Sequence, residues 1–299
     1  MRGVWTALVT PFSTTNELDL KAYRKIIEDQ IEAKVTGIIP CGTTGESPTL
    51  TQDEKKTLIQ TALELTKGTA VKVVAGTGSN NTQTTVEFSK WASDQGVAGV
   101  LVVTPYYNKP SQAGLEAHFR AVADAVKCEV ILYNVPGRAG VSLAATTIAK
   151  LCDHPRITTV KEASGNLTFI SEIFDMLSLV GRKSDILSGD DASYLPILSV
   201  GGVGVISVSS NLFPRAMVAL QNAFEKGKLD EARAIHQKYY PLFRDLFVES
   251  NPVPIKYAMA EAGFCLDHVR APLSSLGDDS RRKLVESLKR CGVSRGVRL

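Results

Sequence analysis

Two hydrophobic periods alternate along this chain. Short β-branched runs, apolar at nearly every position, are followed by longer segments in which apolar residues recur every three to four positions. A run that is apolar on both faces reads as a strand buried between two layers, and the longer spacing reads as an amphipathic helix lying on that sheet. The pattern predicts strands over residues 4–10, 37–40, 71–75, 99–103, 130–133, 157–161, 185–188 and 204–208. Helices are predicted after them over 20–32, in a segment opened by Thr51 and Glu54, and over 82–95, 112–126, 144–151, 167–177, 191–198 and 213–225. Thr51 and Glu54 stand at capping-box spacing, where each side chain satisfies an amide left exposed at the start of a helix.

Eight strand-helix units predict an α/β fold: parallel strands with crossover helices, closing as a (β/α)8 TIM barrel. An open doubly wound sheet is the alternative. Its dinucleotide turn is lacking, because Gly76-Thr77-Gly78 follows a strand but Asn81 stands where the third glycine belongs. No phosphate loop of the G-x-x-x-x-G-K type occurs either. After about residue 226 the pattern becomes helical without strands, broken at Asn251-Pro252-Val253-Pro254 and Arg270-Ala271-Pro272-Leu273. The chain therefore divides on paper into a barrel over 1–226 and a helical extension over 227–299 packed on it. Residues 292–299 are expected to fray.

Composition narrows the function classes. The 299 residues are 44% hydrophobic and 22% charged, enough apolar material for a sizeable core. Lys and Arg number 34 against 31 Asp and Glu, and this net +3 is spread along the chain apart from Arg281-Arg282-Lys283, too weak a field for nucleic acid. Five cysteines without a C-x-x-C pair argue against a disulfide framework or a zinc site. The four histidines have no spacing that gathers a metal. The apolar stretch 4–9 is interrupted by Pro11 and lacks a basic flank, so it is read neither as a signal peptide nor as a membrane span. A cytoplasmic protein with no membrane or nucleic-acid partner is expected.

In a barrel the carboxyl ends of the strands share one rim, where residues distant in sequence meet. Lys161 is the most informative residue there. It ends the run Ile157-Thr158-Thr159-Val160 and is followed by Glu162-Ala163-Ser164-Gly165-Asn166. A lysine attacks a carbonyl only when unprotonated, and burial can lower the pKa of such a group by up to ~3–5 units. The same position also suits a lysine that closes a strand and reaches water, so its neighbours must decide. Strand two ends in Gly42-Thr43-Thr44-Gly45-Glu46-Ser47, where glycines let amides approach an anion. Strand four ends in Thr104-Pro105-Tyr106-Tyr107-Asn108 and strand five in Tyr133-Asn134-Val135-Pro136-Gly137-Arg138. Strands seven and eight give Ser188-Gly189-Asp190-Asp191 and Ile206-Ser207-Val208-Ser209. Forming an imine needs repeated proton transfers, for which Tyr133 with Thr43 and Tyr107 offers a chain of hydroxyls. Taken singly, each tyrosine also reads as half-buried wall.

Gly42-Thr43-Thr44-Gly45-Glu46, Tyr133-Asn134-Val135-Pro136-Gly137-Arg138 and Val160-Lys161-Glu162-Ala163-Ser164-Gly165-Asn166 together resemble the pyruvate-dependent class I aldolase and lyase family, which includes dihydrodipicolinate synthases and N-acetylneuraminate lyases. The resemblance runs from about residue 3 to residue 290. It implies that Lys161 forms the Schiff base with pyruvate, that Tyr133 gives and takes the proton, and that Thr43 and Tyr107 relay it. It further implies that Thr44 helps to hold the pyruvate carboxylate and that Gly189 and the carbonyl of Ile206 line the pyruvate site. No metal or organic cofactor is implied. A homo-oligomer is, typically a tetramer built from dimers, with Tyr107 reaching a neighbouring subunit's site.

Within that family, members of the synthase branch carry an arginine at the position of Arg138, so the resemblance implies L-aspartate 4-semialdehyde as the second substrate, whose carboxylate a guanidinium fork suits. Tyr106-Tyr107 and Asn251-Pro252-Val253-Pro254-Ile255-Lys256 also look like that branch. The alternatives are a lyase of keto sugar acids or sialic acid, a hydratase-aldolase, and a non-catalytic barrel used for binding. Relatives that respond to lysine hold it at positions matching Ser47, Pro48, Gln52, Lys55, Asn80, Thr84 and Tyr106. Lys55 adds a positive charge there and Thr84 lacks a carboxylate to pair with an ammonium, so weak or absent lysine feedback is expected.

Overall fold

In the computed structural model, which describes residues 1–293, the chain lays down β1 (Gly3–Ala7), β2 (Gly37–Ile39), β3 (Lys72–Gly76), β4 (Gly99–Val103), β5 (Glu129–Asn134), β6 (Ile157–Glu162), β7 (Asp185–Ser188) and β8 (Gly204–Ser207). Their hydrogen-bonded order follows the sequence and closes as a barrel, with parallel pairing. Between them run α1 (Leu20–Glu32), α2 (Gln52–Thr66), α3 (Thr82–Asp94), α4 (Gln112–Ala125), α5 (Pro136–Ala139), α6 (Ala145–Leu151), α7 (Leu167–Leu179) and α8 (Tyr194–Ser199). After β8 come α9 (Pro214–Glu225), α10 (Leu229–Asp245), α11 (Val253–Glu261) and α12 (Asp278–Arg290). The (β/α)8 expectation holds, C-terminal helices included.

Two compact units make up the chain, one of Met1–Arg2 with Val73–Ile206, the other of Gly3–Lys72 with the described residues from Ser207 onward. In the first, Val100, Val102, Ile131, Leu132, Val160, Ile186 and Val205 are buried along the strands. Each such side chain contributes about 1.5–3 kcal/mol on leaving water. In the second, the ring of Trp5 lies against the backbone of Gly37, where any added Cβ would sit 2.2 Å from it. Helix α2 begins with the expected capping box, Thr51 and Glu54 each taking the other's amide. Asp245 ties α10 to α12, accepting from Arg244 at 2.7 Å, Lys283 at 3.2 Å and Ser287 at 2.6 Å.

Local chemistry explains where boundaries moved. Helix α8 starts at Tyr194 rather than at Asp191, because Asp190 accepts from the Ala192 amide and the Ser193 hydroxyl and holds the chain in a turn. Of the tail expected to fray, Gly292 and Val293 instead close the end of α12 by bonding Lys289 O and Leu288 O, and residues 294–299 lie outside the described residues. All five cysteines are free. Among the described residues no helix is long and apolar enough to cross a membrane.

Candidate active site

The Val73–Ile206 unit carries Lys161. β5 and β6 pair in parallel with Tyr133 opposite Lys161 and Asn134 opposite Glu162. Successive side chains of a strand face opposite ways, so Tyr133 and Lys161 share one face while Asn134 and Glu162 share the other. Lys161 is only 6% exposed, and its Nζ lies 4.1 Å from the centroid of the Tyr133 ring, a cation-π distance. The next strand closes on its stem. Gly189 donates its amide to Glu162 O at 2.7 Å, and a Cβ at Gly189 would stand 3.1 Å from Lys161 Cε and 2.6 Å from Ala163 Cβ. Glycine is thus the residue that lets β7 approach the lysine.

Glu162, next to Lys161, is buried with its carboxylate accepting from Asn134 Nδ2 at 2.7 Å and from the Ser164 amide at 2.5 Å. Burial pushes its pKa up, against the opposing pull of the bonds from Ser164 and Asn134. Arg138 stands exposed on the short helix α5, with its amide bonded to Val135 O at 3.0 Å. Ile206 is fully buried in β8. Tyr107 is 88% exposed, at a backbone φ of 72° that a non-glycine residue rarely adopts. It stands in a turn where the Asn108 amide bonds Tyr106 O at 2.9 Å. The fold of this unit therefore joins Lys161, Tyr133 and Gly189, and turns Tyr107 outward.

In the second unit, the loop after β2 presents Thr43 half-buried and Thr44 buried. Amides of Gly45 and Ser47 bond back to Gly42 O, and that of Glu46 to Thr43 O, which folds the loop on itself. Thr10 holds it from below through a 2.7 Å bond to Gly45 O. Asn251 Nδ2 donates to Thr44 Oγ1 at 3.0 Å, occupying an acceptor site and leaving the hydroxyl proton for another group. Lys256 donates to Glu46 Oε1 at 2.7 Å and to Thr10 O at 2.9 Å, and lies over the Phe12 ring at 4.4 Å. Arg270 adds its amide to Glu46 Oε2 at 3.0 Å and its guanidinium to Glu54.

Asn134, Glu162, Asn251 and Lys256 stand inside the motifs at 133–138, 160–166 and 251–256, yet sequence alone assigns none of them a role. The signal was their polarity beside strand ends and prolines; their partners, as far as 210 residues apart, were invisible.

A barrel that sets a buried lysine on a tyrosine face at the ends of adjacent parallel strands has the arrangement of a Schiff-base enzyme. Residues 1–291 match the Dihydrodipicolinate synthetase family, and the chain belongs to it. It is 46% identical over 292 residues to the 4-hydroxy-tetrahydrodipicolinate synthase of Geotalea uraniireducens, covering 98% of this chain and 99% of that one. With the synthase of Leptospira biflexa serovar Patoc it shares 44% over 296 residues, at 98% and 99% coverage. The solved structure of the 4-hydroxy-tetrahydrodipicolinate synthase from Methylacidiphilum fumariolicum SolV superposes with a TM-score of 0.94 at 44% identity, covering 98% of this chain and 96% of that one.

Proposed function

We propose that the chain acts as a 4-hydroxy-tetrahydrodipicolinate synthase, a lyase of the diaminopimelate route to lysine that condenses pyruvate with L-aspartate 4-semialdehyde. The observation that carries this reading is the buried Lys161 with its Nζ on the face of Tyr133, in a chain aligned over its length with synthases. Neutral Lys161 attacks the ketone carbon of pyruvate, water leaves, and an imine forms. Tyr133 gives and takes the protons of these steps, with Thr43 and Tyr107 as the relay. The amides and hydroxyl at Thr43 and Thr44 hold the pyruvate carboxylate, and Gly189 and the Ile206 carbonyl line its site.

Loss of a methyl proton converts the imine to an enamine, whose carbon attacks the semialdehyde. Arg138 takes the carboxylate of that second substrate. The substrate's own amine then displaces Lys161 as the ring closes, freeing the enzyme. Each step is proton transfer and carbon-nitrogen or carbon-carbon chemistry, and the scheme draws on no cofactor.

Tyr107 supports an oligomeric reading. A strained, exposed tyrosine fits a residue that completes a neighbouring copy's relay, in a homotetramer built from dimers. The barrel over 1–226 with its extension over 227–299, and a cytoplasmic location, belong to the same proposal. So does weak or absent lysine feedback, argued from Gln52, Lys55 and Thr84; inhibition by micromolar lysine contradicts it. The function itself is tested by turnover of pyruvate with L-aspartate 4-semialdehyde in wild type and Arg138→Ala. The expected result is turnover in wild type and a KM rise confined to the aldehyde in the variant. Wild type that cleaves sialic acid or a keto sugar acid instead overturns the assignment.

A further inference from the structure

One buried pair beside Lys161 takes no part in the proposed chemistry. Asn134 and Glu162 are the register partners one step beyond Tyr133 and Lys161, and both are buried. Asn134 Nδ2 donates to Glu162 Oε2 at 2.7 Å, while Asn134 Oδ1 accepts from the Leu143 amide at 2.9 Å. Leu143 lies nine residues further on, so this second bond closes the base of the loop 135–142, which contains α5 and Arg138. Within that loop the amides of Arg138 and Ala139 both bond Val135 O, at 3.0 and 2.9 Å, which ties the arginine's backbone to the residue following Asn134.

We propose that Asn134 and Glu162 form a brace that positions Arg138 relative to Lys161 and thereby sets the selection of an acceptor aldehyde carrying a carboxylate. This rests on the reading that Arg138 takes that carboxylate. Stability alone does not call for this pair, since a buried carboxylate is costly to desolvate and an apolar pair of the same shape holds two strands as well. Its value lies in polarity. The Leu143 amide fixes which way the Asn134 amide faces, and the Ser164 amide fixes one Glu162 oxygen, so only an acceptor at the remaining Glu162 position completes the chain of bonds.

That logic yields an exchange test in the full-length enzyme. In Glu162→Gln, the Gln oxygen keeps Ser164 and its amide group meets the Asn134 amide group, donor against donor. In Asn134→Asp, two carboxylates meet. In the double variant every bond is restored, the one between the two side chains with donor and acceptor exchanged and those from the Leu143 and Ser164 amides unchanged. The expected result is that each single substitution raises the KM for L-aspartate 4-semialdehyde about tenfold, the scale of a small misplacement of a positioning group. The KM for pyruvate and the yield of pyruvate trapped on Lys161 by borohydride stay unchanged, and the double variant recovers the aldehyde KM.

Unchanged singles, a double no better than the worse single, or an equal rise in the pyruvate KM overturns the proposal. If Glu162→Gln does not accumulate folded, Asn134→Asp and the double variant make the same comparison. A wild type that fails to turn over the two substrates defeats the functional reading itself, whereas an active wild type with an unaffected Glu162→Gln defeats only the brace.

Discussion

Replacing Lys256 with methionine isolates the buried charge that holds the Thr43–Thr44 loop. Lys256 and Glu46 have no exposed side-chain surface and meet at 2.7 Å. Methionine keeps the length of the stem but leaves the Glu46 carboxylate buried, with the Arg270 amide still on its other oxygen. Removing one partner of a buried pair costs ~3–5 kcal/mol. The surviving bond from Arg270 puts the expected loss at the lower end, about 3 kcal/mol. At ~2–4 °C per kcal/mol for domains of 150–250 residues, the melting temperature falls by roughly 6–12 °C. Denaturant unfolding and thermal melts measure both. Glu46 is two residues from Thr44, so the KM for pyruvate rises as well. Adding Glu46→Gln removes the stranded charge and recovers part of the stability, because the largest cost is the uncompensated carboxylate. A K256M protein within about 1 kcal/mol of wild type, below the range for a broken buried pair, refutes this reasoning, as does a double variant less stable than K256M alone.

Asp245 gives a pH prediction. Its burial favours the neutral acid, but bonds from Arg244, Ser287 and Lys283 outweigh that and hold its pKa at about 2. A depressed carboxylate contributes stability that is complete above its unfolded value of ~3.9 and is lost as pH falls through the folded value; because Arg244 and Lys283 are half exposed and screened by solvent, that contribution is about 1–2 kcal/mol. Asp245→Asn should lose that contribution at pH 7 and flatten the fall in stability between pH 4 and 2, read by urea unfolding at each pH. Gly189→Ala places a methyl group 2.6 Å from Ala163 Cβ and 3.1 Å from Lys161 Cε, so it should lower the rate of pyruvate trapping by at least about tenfold. An unchanged trapping rate in a folded G189A protein means that the approach of β7 does not position the lysine.

The alternation of apolar runs with amphipathic segments was sufficient to lay out the eight strands, and β4 and β7 begin and end where the pattern placed them. Strand burial on both faces produces an unbroken apolar signal that needs no tertiary knowledge. Short polar turns were less legible. Pro136-Gly137 reads as a loop yet opens α5, because Val135 O captures the amides of Arg138 and Ala139. Lys161, Tyr133 and Gly189 were readable as strand-end residues, since parallel register alone puts them side by side. The Lys256–Glu46 pair was not, because chain separation hides a contact that only the folded chain makes. Tyr107 shows a further limit: its place at a strand end was readable, but its left-handed backbone and outward turn were not.

The central claim is that Lys161 forms an imine with pyruvate. Incubating the protein with pyruvate, reducing with borohydride and mapping the product by mass spectrometry tests it most directly, with Lys161→Ala as control. The account predicts one reduced pyruvate adduct per chain, on the peptide containing Lys161, and none in the variant. An unmodified Lys161 peptide from protein that binds pyruvate, or an adduct that persists in Lys161→Ala, contradicts it.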